Sequence, residues 1–123
     1  MIASDNYVKG LLQQIDDSCT ILENLKDVPG DLLIIKREVA KITGLFSVLS
    51  NKLGANKQEF FDYQHILSAM RAYLNNHDFT REIEMLSGLY SNDAMRLKNL
   101  RLTILDALFE KNLITNIKAI LRE

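Results

Sequence analysis

The sequence predicts an all-α fold, a four- to five-helix bundle forming a single domain over residues 1–123. Three observations carry this. Apolar residues recur in steps of three and four along most of the chain. Turn and capping signals arrive at intervals of roughly one helix length. No segment shows the apolar–polar alternation of a half-buried strand. Hydrophobic residues make up 47% and charged residues 25% of the 123, so the chain can bury a core without a disulfide or metal staple.

Residues 4–28 form the first helical pattern, with Val8, Leu11, Leu12, Ile15, Cys19, Leu22 and Leu25 on one face and Ser4 and Asp5 as capping candidates. Pro29 pushes Val28 out of the α region and Gly30 turns the chain, so the helix stops at "VPGD" and Asp31 caps the next. The second pattern is a heptad seam, Leu32, Ile35, Val39, Ile42, Phe46, Leu49 and Leu53, widened by Ile34, Leu45 and Val48. Burying such a stripe does not offset the entropy of ordering a helix this long, so it needs neighbours on both sides and belongs at the centre of the bundle.

Gly54 ends that helix, and "NKQE" proposes Asn56 and Glu59 as a capping pair for a third helix running to about Asn76. Its stripe is Phe60, Tyr63, Leu67, Met70 and Leu74. Thr80 caps a short fourth helix through Ile83, Leu86, Leu89 and Tyr90, and "SND" at 91–93 opens a fifth through Leu97, Leu100, Ile104, Leu105 and Leu108. Near Asn112 the pattern either kinks or starts a sixth helix, in which Leu113, Ile114, Ile117, Ile120 and Leu121 present apolar side chains on more than one face.

The net charge of −1 is close to neutral in each half, which argues against nucleic acid as a partner. Arg96, Lys98 and Arg101 are the nearest approach to a basic cluster, and a helical period spreads them around the axis. Cys19 is the single cysteine and the opening "MIASDNYVKG" has no leader pattern, so a cytoplasmic, reducing compartment is expected. The longest apolar run is four residues, Leu32 to Ile35, against the roughly 20 that a membrane-spanning helix needs, so no membrane partner is expected.

In "RAYLNNHDF", Arg71 and His77 stand six positions apart at the end of a helical pattern. This stretch resembles the catalytic helix of the metal-independent ribonucleases of the HEPN superfamily. The resemblance implies a dimer in which His77 would serve in acid–base catalysis at a ribose 2′-hydroxyl and Arg71 would steady phosphate charge. Ala72 stands where better-marked members carry a polar residue, and Phe79 where they carry a tyrosine. The competing physical reading is a helix C-terminus, with His77 beside the last carbonyls and Arg71 solvated.

Asp62 and His65 lie one helical turn apart, but two ligands without a second pair do not make a metal site, and none is expected. Cys19 belongs to an apolar face and lacks neighbours that would activate a thiolate. No phosphate-binding or dinucleotide loop occurs, so no cofactor is expected. The surplus apolar surface of the last helix and the wide stripe of the second point instead to a protein partner. The expected function is a small protein-binding module of adaptor, inhibitor, immunity-factor or chaperone type, with a homodimer among the assemblies the composition allows. Ile114, Ile117 and Leu121 are the expected contact residues, and Tyr7, Tyr73 and Tyr90 suit an interface rim. The alternative is the dimeric ribonuclease using Arg71 and His77. An apolar ligand held inside the bundle is a third reading.

Overall fold

The helical periodicity folds as expected in the computed structural model, which describes residues 2–123 with side chains from Asp5 onward. Among these residues it contains six α-helices and no strand: α1 (Ile2–Asn24), α2 (Asp31–Ala55), α3 (Gln64–Asn76), α4 (Thr80–Leu89), α5 (Ala94–Phe109) and α6 (Leu113–Leu121). Short 3-10 turns at Phe61–Tyr63 and Glu110–Asn112 lead into α3 and α6. The four- to five-helix bundle stands, with the last expected helix broken into α5 and α6.

The heptad seam of α2 lies wholly inside, from Leu32 to Leu53, and α2 touches α1, α3, α4 and α5. Phe46 at its middle meets Tyr73 of α3 edge to face, ring centres 5.2 Å apart. Val48, expected to widen the stripe, faces water instead. One continuous core joins all six helices.

Several boundaries differ from the sequence reading. α1 stops at Asn24, four residues early, and Arg101 of α5 holds the loop that follows. Its Nε and Nη2 donate to the two carboxylate oxygens of Asp27 at 2.8 and 3.0 Å, and Asp27 sits in the left-handed region at φ 61°. The first helix begins at Ile2, so Asp5 lies within the first turn rather than at the cap, and the side chain of Ser4 lies outside those described. Gly30, at φ 96°, takes the N-cap of α2. Asp31 is the first helical residue, and its side chain reaches back to accept from the Val28 N–H at 3.1 Å. Asn56 closes α2 rather than opening α3, and the capping pair with Glu59 does not form. The Asp93 cap is as expected: its side chain accepts from the Arg96 N–H at 3.1 Å. Asp93→Ala is expected to lower stability by about 1 kcal/mol, read by chemical denaturation.

Lys111 and Asn112 both adopt left-handed backbone, φ 55° and 59°, which turns the chain sharply between α5 and α6. The turn drops α6 onto α1, α3 and α5. Lys118 then ties α6 to Asp16 of α1, Nζ to Oδ1 at 2.6 Å. Leu113, Ile114, Ile117 and Ile120 are buried, and Leu121 packs partly buried at the edge of the core. The expectation that Ile114 and Ile117 form a free partner surface is corrected on this point, since the corner places the apolar face of this helix inside, whereas Leu121 keeps part of its surface in water.

Glu38 is 3% exposed between α1 and α2, and one of its carboxylate oxygens has no hydrogen-bond partner among the described residues. Burial pushes its carboxyl up, but Arg37, Ser18 and the charge of Lys41 outweigh that and hold it below the usual carboxylate range. The Arg37 side chain is 67% exposed and would not be stranded by loss of this partner. Because these partners hold Glu38 ionised, Glu38→Met is expected to lower stability at neutral pH by about 1 kcal/mol, and a raised melting temperature would refute this.

Candidate functional site

Arg71 and His77 are held apart by different partners. Arg71 Nη2 reaches the Ser50 carbonyl of α2 at 3.5 Å and lies over the last turn of that helix, where Gly54 leaves room that a Cβ would fill. A guanidinium there complements the C-terminal carbonyls. His77 has left the helix: it is the extended C-cap of α3, its N–H donating to the Tyr73 carbonyl at 3.0 Å. Its ring stacks on Phe79 at 5.8 Å, and Nε2 contacts Glu110 Oε1 at 2.6 Å, joining the end of α3 to the corner before α6. A cleft of about 720 Å³ between α2, α3 and α4 is lined by His77 and Tyr73 but not by Arg71. Tyr73, expected at an interface rim, is buried in the core, where desolvation pushes its phenol up to about 12.

Asp62 and His65 are exposed and share a surface cavity of about 490 Å³ with Asp5 and Glu123. Tyr63 donates to Asp5 there, joining the 3-10 turn to α1. Among the described residues no group of three His, Cys, Asp or Glu is placed to hold a metal ion. Cys19 is fully buried, and desolvation, with Glu23 next to it, pushes the thiol up to about 12, so the nucleophilic thiolate is suppressed.

Exposed apolar side chains include Leu33 and Phe61, and a group of them lies on α4 and α5. α4 is short and amphipathic: Ile83 and Leu86 face the core, while Glu82, Met85 and Leu89, spaced three and four apart, share an outer stripe. Leu89 is 89%, Met85 69% and, on α5, Met95 66% exposed. Leu102 extends the α5 side two turns on from Met95. Between the helices runs a groove of about 320 Å³ whose floor is Phe79, Leu86 and Leu100. Glu82 stands on its α4 wall and Arg96 on its α5 wall. Arg96 lies flat on the Tyr90 ring, 3.9 Å from its centre, and pairs with Asp93 at 3.5 Å, which holds the cation at the mouth. Tyr90 thus lines one end of this groove.

Sequence reasoning missed this face because Leu89 reads as an ordinary member of the fourth helical pattern and Met85 falls outside it. The available signal was the length of α4: ten residues give one buried stripe, and "EMLSGLY" carries more apolar residues than one stripe can take.

Fold and surface together define an all-α bundle with an apolar groove between two neighbouring helices. Comparison with protein-family models, curated proteins and solved structures finds no match to this chain. The likeness to the HEPN ribonucleases therefore rests on "RAYLNNHDF" alone. No described helix is long and apolar enough to cross a membrane.

Proposed function

We propose that this chain is a protein-binding module of the adaptor, inhibitor, immunity-factor or chaperone kind, which docks a partner chain on the α4–α5 face and acts by occlusion or scaffolding. The observation that carries the reading is the exposure of Met85, Leu89 and Met95 beside an apolar groove with charged rims. Large apolar side chains exposed to water cost free energy that is recovered when something covers them. Methionines suit the task because an unbranched thioether conforms to an irregular partner. The buried, unactivated thiol of Cys19 fits a reducing, cytoplasmic setting for this activity.

The ribonuclease alternative would require Arg71 to leave the last turn of α2 and His77 to leave Glu110 before either met a substrate, and no observation favours it.

Leu89→Asp and Met85→Glu test the proposal. Both positions face solvent, so folding stability is expected to stay within about 0.5 kcal/mol of the parent. Association with another chain, followed by light scattering and crosslinking, is expected to weaken at least about tenfold. Association that survives both substitutions would refute the α4–α5 assignment.

A further inference from the structure

We propose that the cleft between α2, α3 and α4 is a binding site for a small, uncharged aromatic ketone or like carbonyl compound, whose oxygen accepts a hydrogen bond from the Tyr73 hydroxyl. This goes beyond the protein-binding reading and does not rest on it. Ile83 and Glu84 of α4 line the cleft, whereas Met85 and Leu86 line the groove toward α5. The observation that carries the proposal is an unmet donor. Tyr73 lines the cleft and is 5% exposed, yet its hydroxyl has no hydrogen-bond partner among the described residues. Only burial and the charge of Asp78 act on the phenol, and they push it up to about 12, so at neutral pH it is a donor. Tyr63, the other buried tyrosine, has its partner in Asp5. A buried donor without a partner costs free energy, which a carbonyl seated in the cleft recovers.

The rest of the cleft sets the class of ligand. Its volume of about 720 Å³ is that of sites which hold a small organic molecule. Val39, Phe79 and Ile83 give it a buried apolar lining. Ala40 and Gly44, one turn apart on α2, keep that wall low, and a Cβ at Gly44 would meet nothing within 4 Å. A rigid ring suits such a wall and has little conformational freedom to lose on binding. The charges say that the acceptor is neutral. Lys36 and Glu84 are of opposite sign, and His77 is engaged by Glu110. Asp78 is the charge felt by the Tyr73 hydroxyl, so a carboxylate or phosphate set on that hydroxyl would be repelled.

The test uses benzophenone and diphenylmethane, compounds of nearly the same shape of which only the first has a carbonyl. Each is titrated into isotope-labelled protein below its solubility limit and followed by amide chemical shifts, with circular dichroism for stability. Benzophenone is expected to shift the amides around Val39, Ala40 and Ile83, and to bind about three- to tenfold more tightly than diphenylmethane. Tyr73→Phe is expected to erase that difference while the melting temperature holds or rises, since the hydroxyl it removes is unpaired in the free protein. Gly44→Leu fills the cleft from an exposed helical position where leucine is the better helix former, so it should fold and weaken both compounds at least about tenfold. Diphenylacetate, with a carboxylate on the same central carbon, is expected to bind more weakly than benzophenone. The site is overturned by absence of shifts at the cleft, by equal affinity of the parent for both compounds, or by a ketone preference that survives Tyr73→Phe. Binding that survives Gly44→Leu, or diphenylacetate binding the more tightly, overturns it equally. A Tyr73→Phe protein that melts lower would show that the hydroxyl is already paired and remove the premise. None of these outcomes touches the α4–α5 reading, which Leu89→Asp tests separately.

Discussion

Ile114→Asp is expected to abolish cooperative folding, and Ile114→Ala to lower stability by about 2–5 kcal/mol without changing how the chain associates. Ile114 and Ile117 are fully buried at the start of α6, where the helix meets α1, α3 and α5. An aspartate at 114 would have to enter that core either charged and unpaired or neutralised by a large shift of its pKa, and both oppose folding. A domain of this size has about 5–15 kcal/mol to lose, so one such change is enough. Leu121 sits at the edge of the core and can lift its side chain toward water, so Leu121→Lys is expected to be tolerated, with a loss of about 1 kcal/mol. Denaturation followed by circular dichroism checks the series. The contrast with Leu89→Asp is the informative part: two apolar residues that look alike in sequence should separate into one that supports the fold and one that does not.

What made Ile114 look like a contact residue was correct as chemistry and incomplete as topology. Periodicity reports which side chains avoid water, and for α2 it did so faithfully: every residue of the Leu32 to Leu53 seam is buried. It does not report how many neighbours a helix has. α6 is apolar on two faces because the corner at Lys111 and Asn112 folds it into the bundle; Asn112 marks the corner, but not the direction in which it sends the helix. The same limit hid the α4–α5 face. Leu89 follows Ile83 and Leu86 at steps of three, but in the helix it falls on the outer stripe with Glu82 and Met85, where it has no neighbour. Capping signals were legible where they were local, as at Asp93. Others failed: Asn56 closes α2 rather than opening α3, Thr80 is the first residue of α4 rather than its cap, and nothing near Leu25 records that Arg101, more than seventy positions away, holds the loop after α1.

Arg101 carries the second large effect. In sequence it was one of three basic residues in a loose cluster with Arg96 and Lys98. In the fold its side chain is 11% exposed, and it holds Asp27 through two parallel hydrogen bonds, with a third, longer contact to the Leu22 carbonyl at 3.5 Å. Arg101→Ala is expected to lower stability by about 2–3 kcal/mol at neutral pH, since it removes a bidentate charged pair and leaves the Asp27 carboxylate partly buried without a partner. Arg101→Lys should recover only part of this, because an ammonium cannot bridge both oxygens. The pH dependence tells this pair from simple loss of packing. The hydrogen bonds from Arg101, aided by its charge, hold the Asp27 carboxyl below its ordinary value of 3.8. A carboxyl that is easier to ionise in the folded state than in the unfolded one stabilises the fold above the ordinary carboxylate range. That contribution fades as pH falls below about 4 toward the lowered folded value. The stability gap between parent and Arg101→Ala should therefore be widest at neutral pH and narrow steadily on acidification. Asp27→Asn should show the same narrowing with a smaller gap at neutral pH, since asparagine tolerates the left-handed backbone and can still accept one bond from Arg101. A gap that stays constant from neutral pH down to about pH 2 would show that the ion pair is not the source of the lost stability.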